Sequence, residues 1–318
     1  MFGTVIACDI GSARTRVASE KAVLEHETRA ALDPANASRV LAFGDPCRSI
    51  LGAAEVYPVR GGVADISLAA LMLRRFALEL LNRRSLMGVS AAVAAPYGLP
   101  AADRAALIEV GREAGFRRVM LVNSQLSGAV GAGIDIRSYS AHLVADIGRD
   151  TLKTAVIANG GILAGAYERY GSGIFDKHFQ AFFAERHRLL ITSRTAERIK
   201  TELGHPILLL SCRDASTGLP TAREVRSSHI REAAGFCIDR IAGSIARTID
   251  AAPEEAAGDL VDNGVTLIGG GAMQYGLPEA LSERLGIPVR AAANADSSVI
   301  AGLAQILRGG LEHWEEAI

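Results

Sequence analysis

Two stretches of this 318-residue chain carry the same turn. Val5 to Cys8 runs into Asp9-Ile10-Gly11-Ser12-Ala13-Arg14-Thr15, and Leu143 to Ala145 runs into Asp146-Ile147-Gly148-Arg149-Asp150-Thr151. Each time a short apolar run enters Asp-Ile-Gly, passes a small or polar turn, and resumes as a β-rich stretch, Thr15 to Ala18 or Thr154 to Ala158. The pattern predicts strand, tight turn, strand. An acidic residue at the end of a buried strand can hold a hydrated divalent cation, and a glycine lets the following backbone N–H groups approach a phosphate closely. Two such turns facing each other would clamp one nucleotide, which makes Asp9 and Asp146 the candidate metal residues.

A third element belongs with them. Val265 to Ile268 reads as a buried strand that meets Gly269-Gly270-Gly271-Ala272 and then a helical stretch carrying Leu277, Leu281 and Leu285. Backbone of this kind can lie flat against a base or ribose, and a helix start adds the positive end of a dipole.

Composition excludes several other classes. With 34 basic and 35 acidic residues the charges nearly cancel, so no nucleic-acid partner is expected. The 49% hydrophobic content is that of a chain able to bury two domain cores. Cys8, Cys47, Cys212 and Cys237 are scattered without metal-ligand spacing or a disulfide framework, which fits a reduced cytoplasmic chain. The apolar stretch Met1 to Cys8 runs straight into the first turn, so no signal peptide is expected. The longest apolar run, Val89 to Ala95 around Ser90, is far short of the roughly 20 residues that a membrane span needs.

Strand and helix patterns alternate in both halves. Helical periodicity is predicted over Leu68 to Leu81, Pro100 to Ala114 and Leu126 to Gly133, with strands at Val89 to Ala95 and Val119 to Val122. After about Ser138 the scheme restarts at the second turn and continues through helices at Phe175 to Arg186, Thr195 to Leu203 and His229 to Ala251. The alternation predicts an α/β fold, duplicated, with domains over residues 1–137 and 138–318.

With these pieces in order, the chain resembles the actin, hexokinase and heat-shock-chaperone ATPase superfamily, and within it the bacterial actin MreB family. Similar stretches include Gly61-Gly62-Val63-Ala64-Asp65, Ala114-Gly115, Gly131-Ala132-Gly133, Gly171-Ser172-Gly173-Ile174-Phe175-Asp176, Thr195 through Gly204, and Gly286-Ile287-Pro288-Val289. The resemblance implies an actin-like (ribonuclease H-like) fold with two domains around a nucleotide cleft. Each domain would carry a small subdomain, about 21–57 and 177–228. It further implies ATP and Mg2+ as ligands and self-assembly into filaments. Asp9, Gly11, Ser12, Ala13 and Arg14 match the first phosphate turn, and Asp146, Gly148, Arg149, Asp150 and Thr151 the second. Gly269, Gly270, Gly271 and Ala272 match the adenosine loop, while Glu197 and Lys200 fall on a helix beside the adenine. Glu197 and Lys200 also suit an ordinary solvated helix face.

The chain departs from the family pattern in two places. MreB relatives continue the second turn with glycines and a threonine pair, whereas Arg149 and Asp150 stand here. A non-glycine residue at positive φ would cost on the order of 1 kcal/mol. A carboxylate about 4 Å from a phosphate oxygen would cost about 4 kcal/mol at an effective dielectric near 20. Arg149 can answer by pairing with phosphate, or with Asp150 in an empty cleft. The relatives also carry Glu-Glu-Pro where this chain has Asn123-Ser124-Gln125, which leaves Ser124 at the hydrolytic position beside Asp146. Losing a water-orienting group costs roughly 10² to 10⁴ in rate, although Asn123 or Gln125 can still hydrogen-bond a water.

Leu86 and Met87, after Arg83 and Arg84, occupy the place where MreB relatives expose an apolar pair to the bilayer; the alternative is that they pack into the core. The resulting expectation is a cytoplasmic, filament-forming ATP-binding cytoskeletal protein of cell-shape determination and wall-synthesis organisation, with weak hydrolysis. It would touch the inner membrane peripherally and meet morphogenesis membrane proteins or a second MreB. The alternative is a nucleotide-independent scaffold or regulator that co-assembles with a conventional MreB.

Overall fold

A computed structural model describes residues 4–202 and 206–309. Leu203 and Gly204 of the helix motif, His205, and both chain ends lie outside the described residues.

In the first half, β1 (Val5–Ile10), β2 (Arg14–Ala18) and β3 (Val23–Glu27) lead into a three-stranded sheet of β4 (Ala30–Asp33), β5 (Asn36–Phe43) and β6 (Ala54–Val56). Then come α1 (Ile66–Leu81), β7 (Ser90–Ala95), α2 (Ala101–Ala114), β8 (Val119–Asn123) and α3 (Ser124–Gly131). The second half repeats the plan with β9 (His142–Ile147), β10 (Leu152–Ala158), β11 (Gly161–Glu168), α4 (Gly173–His187), β12 (Leu189–Leu190) and α5 (Ser193–Glu202). It continues through β13 (Ile207–Asp214), β14 (Pro220–Arg226), α6 (Ser227–Asp250) and α7 (Ala257–Asn263). The last elements are β15 (Val265–Ile268), α8 (Leu277–Leu285), β16 (Val289–Ala291) and α9 (Ser298–Gly309).

Two five-stranded sheets form the body, ordered β3-β2-β1-β7-β8 and β11-β10-β9-β15-β16. Their plans coincide: an antiparallel meander of three strands followed by two parallel strands reached through helices. The central strands are short apolar runs buried on both faces, as in Ile6 to Cys8 and Leu143 to Ala145. Small three-stranded sheets, β5-β4-β6 and β12-β13-β14, flank the two bodies.

The stretch expected as the first small subdomain, about residues 21–57, contains four strands, of which β3 extends the main sheet instead. At the other end, α9 packs against α3 and β1, so the last helix of the second half returns to the first. A shared core of Leu126, Ala129, Val144, Ile268, Ile300 and Leu303 joins the halves there.

The apolar pair after α1 is split. Leu86 is buried in the first-domain core beside Phe76 and Val89, while Met87 is 87% exposed. The expectation of a two-residue membrane contact therefore reduces to one residue. The backbone bond from Val89 N–H to the Leu86 carbonyl turns the loop inward at Leu86. No helix among the described residues is long and apolar enough to cross a membrane.

Candidate functional site

The two hairpin turns close in the same way. Gly11 N–H donates to the Arg14 carbonyl at 3.0 Å, and Gly148 N–H donates to the Thr151 carbonyl at 2.9 Å. Both turns are then tied to their surroundings. Thr28 Oγ1 donates to the Gly11 carbonyl at 2.6 Å, and Gly61 N–H donates to Ser12 Oγ at 2.9 Å. Ser172 and Gly173 N–H groups donate to the carbonyls of Gly148 and Arg149 at 2.8 and 2.7 Å. Neither Arg149 nor Asp150 takes a positive φ, so the strain expected of a turn without glycines is absent.

The turns face each other across a cavity of about 390 Å³. Asp9, Gly11, Ser12, Ala13, Arg14, Asp146, Gly148, Arg149, Thr151, Glu197, Lys200, Gly269, Gly270 and Gly271 all line it. Of the candidates for nucleotide contact, two do not. Ala272 is 1% exposed within the core, and Asp150 packs its Cβ against Gly61, with Oδ1 near Gly173. The expected repulsion between the Asp150 carboxylate and a phosphate loses its basis, because that carboxylate lies outside the cavity. Arg149 does not pair with it; its guanidinium stacks over the Tyr57 ring, 5.7 Å from the centroid.

Gly269 shows why the third element needs glycine. Its φ is +83°, and a Cβ there would lie 2.4 Å from Asp146 Oδ1. Gly270 differs: a Cβ there would meet nothing within 4 Å, at the edge of the cavity.

Lys200 sits on no solvated face. It is 8% exposed, and its ammonium pairs with Asp176 at 2.7 Å and lies 3.4 Å from the Ser172 carbonyl. Burial pushes the Asp176 carboxyl above its ordinary pKa against the opposing pull of Lys200.

Ser124 opens onto a smaller adjoining cavity of about 70 Å³, together with Asp9, Ser12, Thr151 and Lys153. Its hydroxyl donates to Gln125 Oε1 at 3.1 Å. Its neighbours have structural work instead. Asn123 Oδ1 caps α3 by accepting from Leu126 N–H at 3.0 Å, and Gln125 Oε1 accepts from Tyr97 N–H at 3.0 Å. Of the three, only Ser124 reaches the cleft.

Sequence reading missed Lys153. It stands opposite Asp146 in the β9–β10 register, and its ammonium donates to Asp146 Oδ2 at 2.7 Å. Burial disfavours the lysine charge, but Asp146 and Asp9 outweigh it and hold the Lys153 pKa above the ordinary value. Asp9 is pushed up by burial, with Lys153 and Arg16 opposing. An ion held directly by Asp9 and Asp146 does not fit this arrangement. One Asp146 oxygen already accepts from the lysine ammonium, which lies under the charge of Asp9 as well, and no cluster of three or more His, Cys, Asp or Glu side chains suited to a metal occurs among the described residues.

Paired α/β domains, each with an Asp-Ile-Gly hairpin over one shared cavity, define an actin-like protein. Solved structures agree: MreB5 of Spiroplasma citri bound to AMPPNP superposes with a TM-score of 0.89 at 23% identity, covering 97% of both chains. The MamK double helical filament gives 0.80 at 19%, covering 96% of this chain and 98% of that one. The MreB/Mbl protein family model matches residues 3–313, and the chain belongs to that family. It is 30% identical to the cell shape-determining protein Mbl of Bacillus subtilis, covering 96% of each, and 30% identical to MreB of Escherichia coli K12, covering 95% and 92%.

Proposed function

We propose that this chain is a filament-forming bacterial actin of cell-shape determination that binds ATP between its two Asp-Ile-Gly hairpins. The observation that carries the reading is the pair of identically closed turns facing one cavity, with Gly269 to Gly271 forming a third wall. Residues 1–137, joined by α9, and the rest of the second half act as the two jaws. Relatives described as cell shape-determining, and structural neighbours described as nucleotide-bound or filamentous, support it.

Hydrolysis is weak in this reading. Ser124 occupies the place of a water-orienting carboxylate, and its hydroxyl is turned to Gln125. The protein works in the cytoplasm, with Met87 as its peripheral membrane contact, multiplied along a filament.

One observation favours the second reading, a nucleotide-independent scaffold that co-assembles with a conventional MreB. Three of the charged groups lining the cleft are already partnered within the chain: Lys153 with Asp146, Lys200 with Asp176 and Arg149 on Tyr57. Electron microscopy and pelleting with and without ATP separate the two. ATP-dependent filaments support the first; equal assembly in nucleotide-free buffer supports the scaffold.

A further inference from the structure

The unassigned group at the centre of the cleft is Lys153. Asp9 and Asp146 end the two central strands and bring two carboxylates to one space. Such a pair needs positive charge before a polyphosphate can approach. Lys153 supplies it from within. Being directly opposite Asp146 in a hairpin closed by a four-residue turn, its ammonium is delivered by the fold itself. The side chain is only 17% exposed, and it lines both the large cavity and the smaller one holding Ser124. An ammonium has three donors, of which Asp146 takes one, leaving the others for phosphate oxygens. The Asp146 oxygen that accepts from lysine is not open to an ion while that bond holds. Acidic and basic side chains lining the large cavity are equal in number, so the cleft is already balanced.

We propose that Lys153 is a tethered counter-cation that stands in for the divalent ion at Asp9 and Asp146, so that this cleft binds the polyphosphate of a nucleotide without Mg2+. The second clause rests on the nucleotide reading above; the first does not.

Two titrations of the full chain test it, and they fail separately. The first uses Mn2+ alone, followed by electron paramagnetic resonance. Wild type takes up no Mn2+ at millimolar concentration, whereas Lys153→Met and Lys153→Gln each gain one site, which adding Asp146→Asn removes. Thermal melts identify which of the two variants is folded, and uptake is read on that one. A wild-type Mn2+ site that Asp146→Asn abolishes overturns the proposal, as does a folded variant that gains none. The second uses ATP. Wild-type affinity in EDTA stays within about threefold of that in Mg2+, while the folded Lys153 variant becomes at least about tenfold dependent on Mg2+. A wild type that loses about a hundredfold in EDTA overturns the metal-free claim with the nucleotide reading intact. A wild type that binds ATP in neither buffer overturns that reading and the second clause with it, and the Mn2+ arm then decides the first clause alone.

Discussion

Gly131 of α3 and Gly302 of α9 meet with no room for a side chain on either. A Cβ on Gly302 would lie 1.7 Å from the Ser127 carbonyl oxygen, and one on Gly131 would lie 1.9 Å from that of Ser298. This close crossing brings the last helix of the second half onto the first and seals the core shared by both. Overpacking a core ordinarily costs about 1–3 kcal/mol, and here the clash is with backbone, which cannot rotate away. Gly302→Val should therefore lose at least about 3 kcal/mol in urea unfolding. An unchanged midpoint would contradict this packing.

Leu86 and Met87 should separate in their effects. Removing a buried leucine side chain costs about 2–5 kcal/mol, whereas an exposed substitution stays within about 0.5 kcal/mol. Leu86→Ala lowers stability by the first amount and Met87→Ala leaves it alone, as read by thermal melts. Binding of assembled protein to anionic vesicles should fall with Met87→Ser, and vesicle binding insensitive to that change would remove Met87 from the membrane account.

Stability should also depend on pH through His142. Burial first, and then Arg290, hold its pKa below the ordinary 6.5, so the unfolded chain takes up a proton before the folded one does. Folded stability consequently falls as pH drops below about 6.5 and levels off once the folded histidine is protonated. His142→Gln should flatten the urea midpoint just below about pH 6.5, and a profile identical to wild type would exclude His142 as its source.

Ser124→Glu restores a carboxylate at the small cavity beside Asp9. Since a positioned water-orienting group contributes roughly 10² to 10⁴ in rate, ATP turnover measured by phosphate release should rise at least about tenfold. Turnover that stays flat despite retained ATP binding would argue against Ser124 as the point where hydrolysis is limited.

What could be read from the sequence was what local chemistry dictates. Asp-Ile-Gly hairpins and the triple glycine announce themselves because turn residues act within a few positions, and those turns fold alike. Lys153 escaped notice because one lysine in an apolar strand reads as solvent-facing. Counting back across a four-residue turn places it opposite Asp146, and that was the available signal. The Lys200–Asp176 pair joins two helices and needs tertiary structure to be seen. Strands β5 and β6 were hidden by their exposure, and β4 by register shifts at Ala31, Leu32 and Asp33, which break the alternation of a regular strand. The crossing of α3 and α9 spans more than 160 residues of sequence, and two glycines so far apart carry no local sign of contact.

Calorimetric titration with ATP, comparing wild type and Gly270→Leu, tests the central claim most directly. Residue 270 borders the cavity with open space where a side chain would project, so leucine there would enter the space that we assign to the nucleotide without meeting the rest of the fold. The account predicts micromolar binding by wild type, and loss of that binding in Gly270→Leu at an unchanged melting temperature. No heat from wild type at millimolar ATP, or equal binding by both proteins, would contradict it.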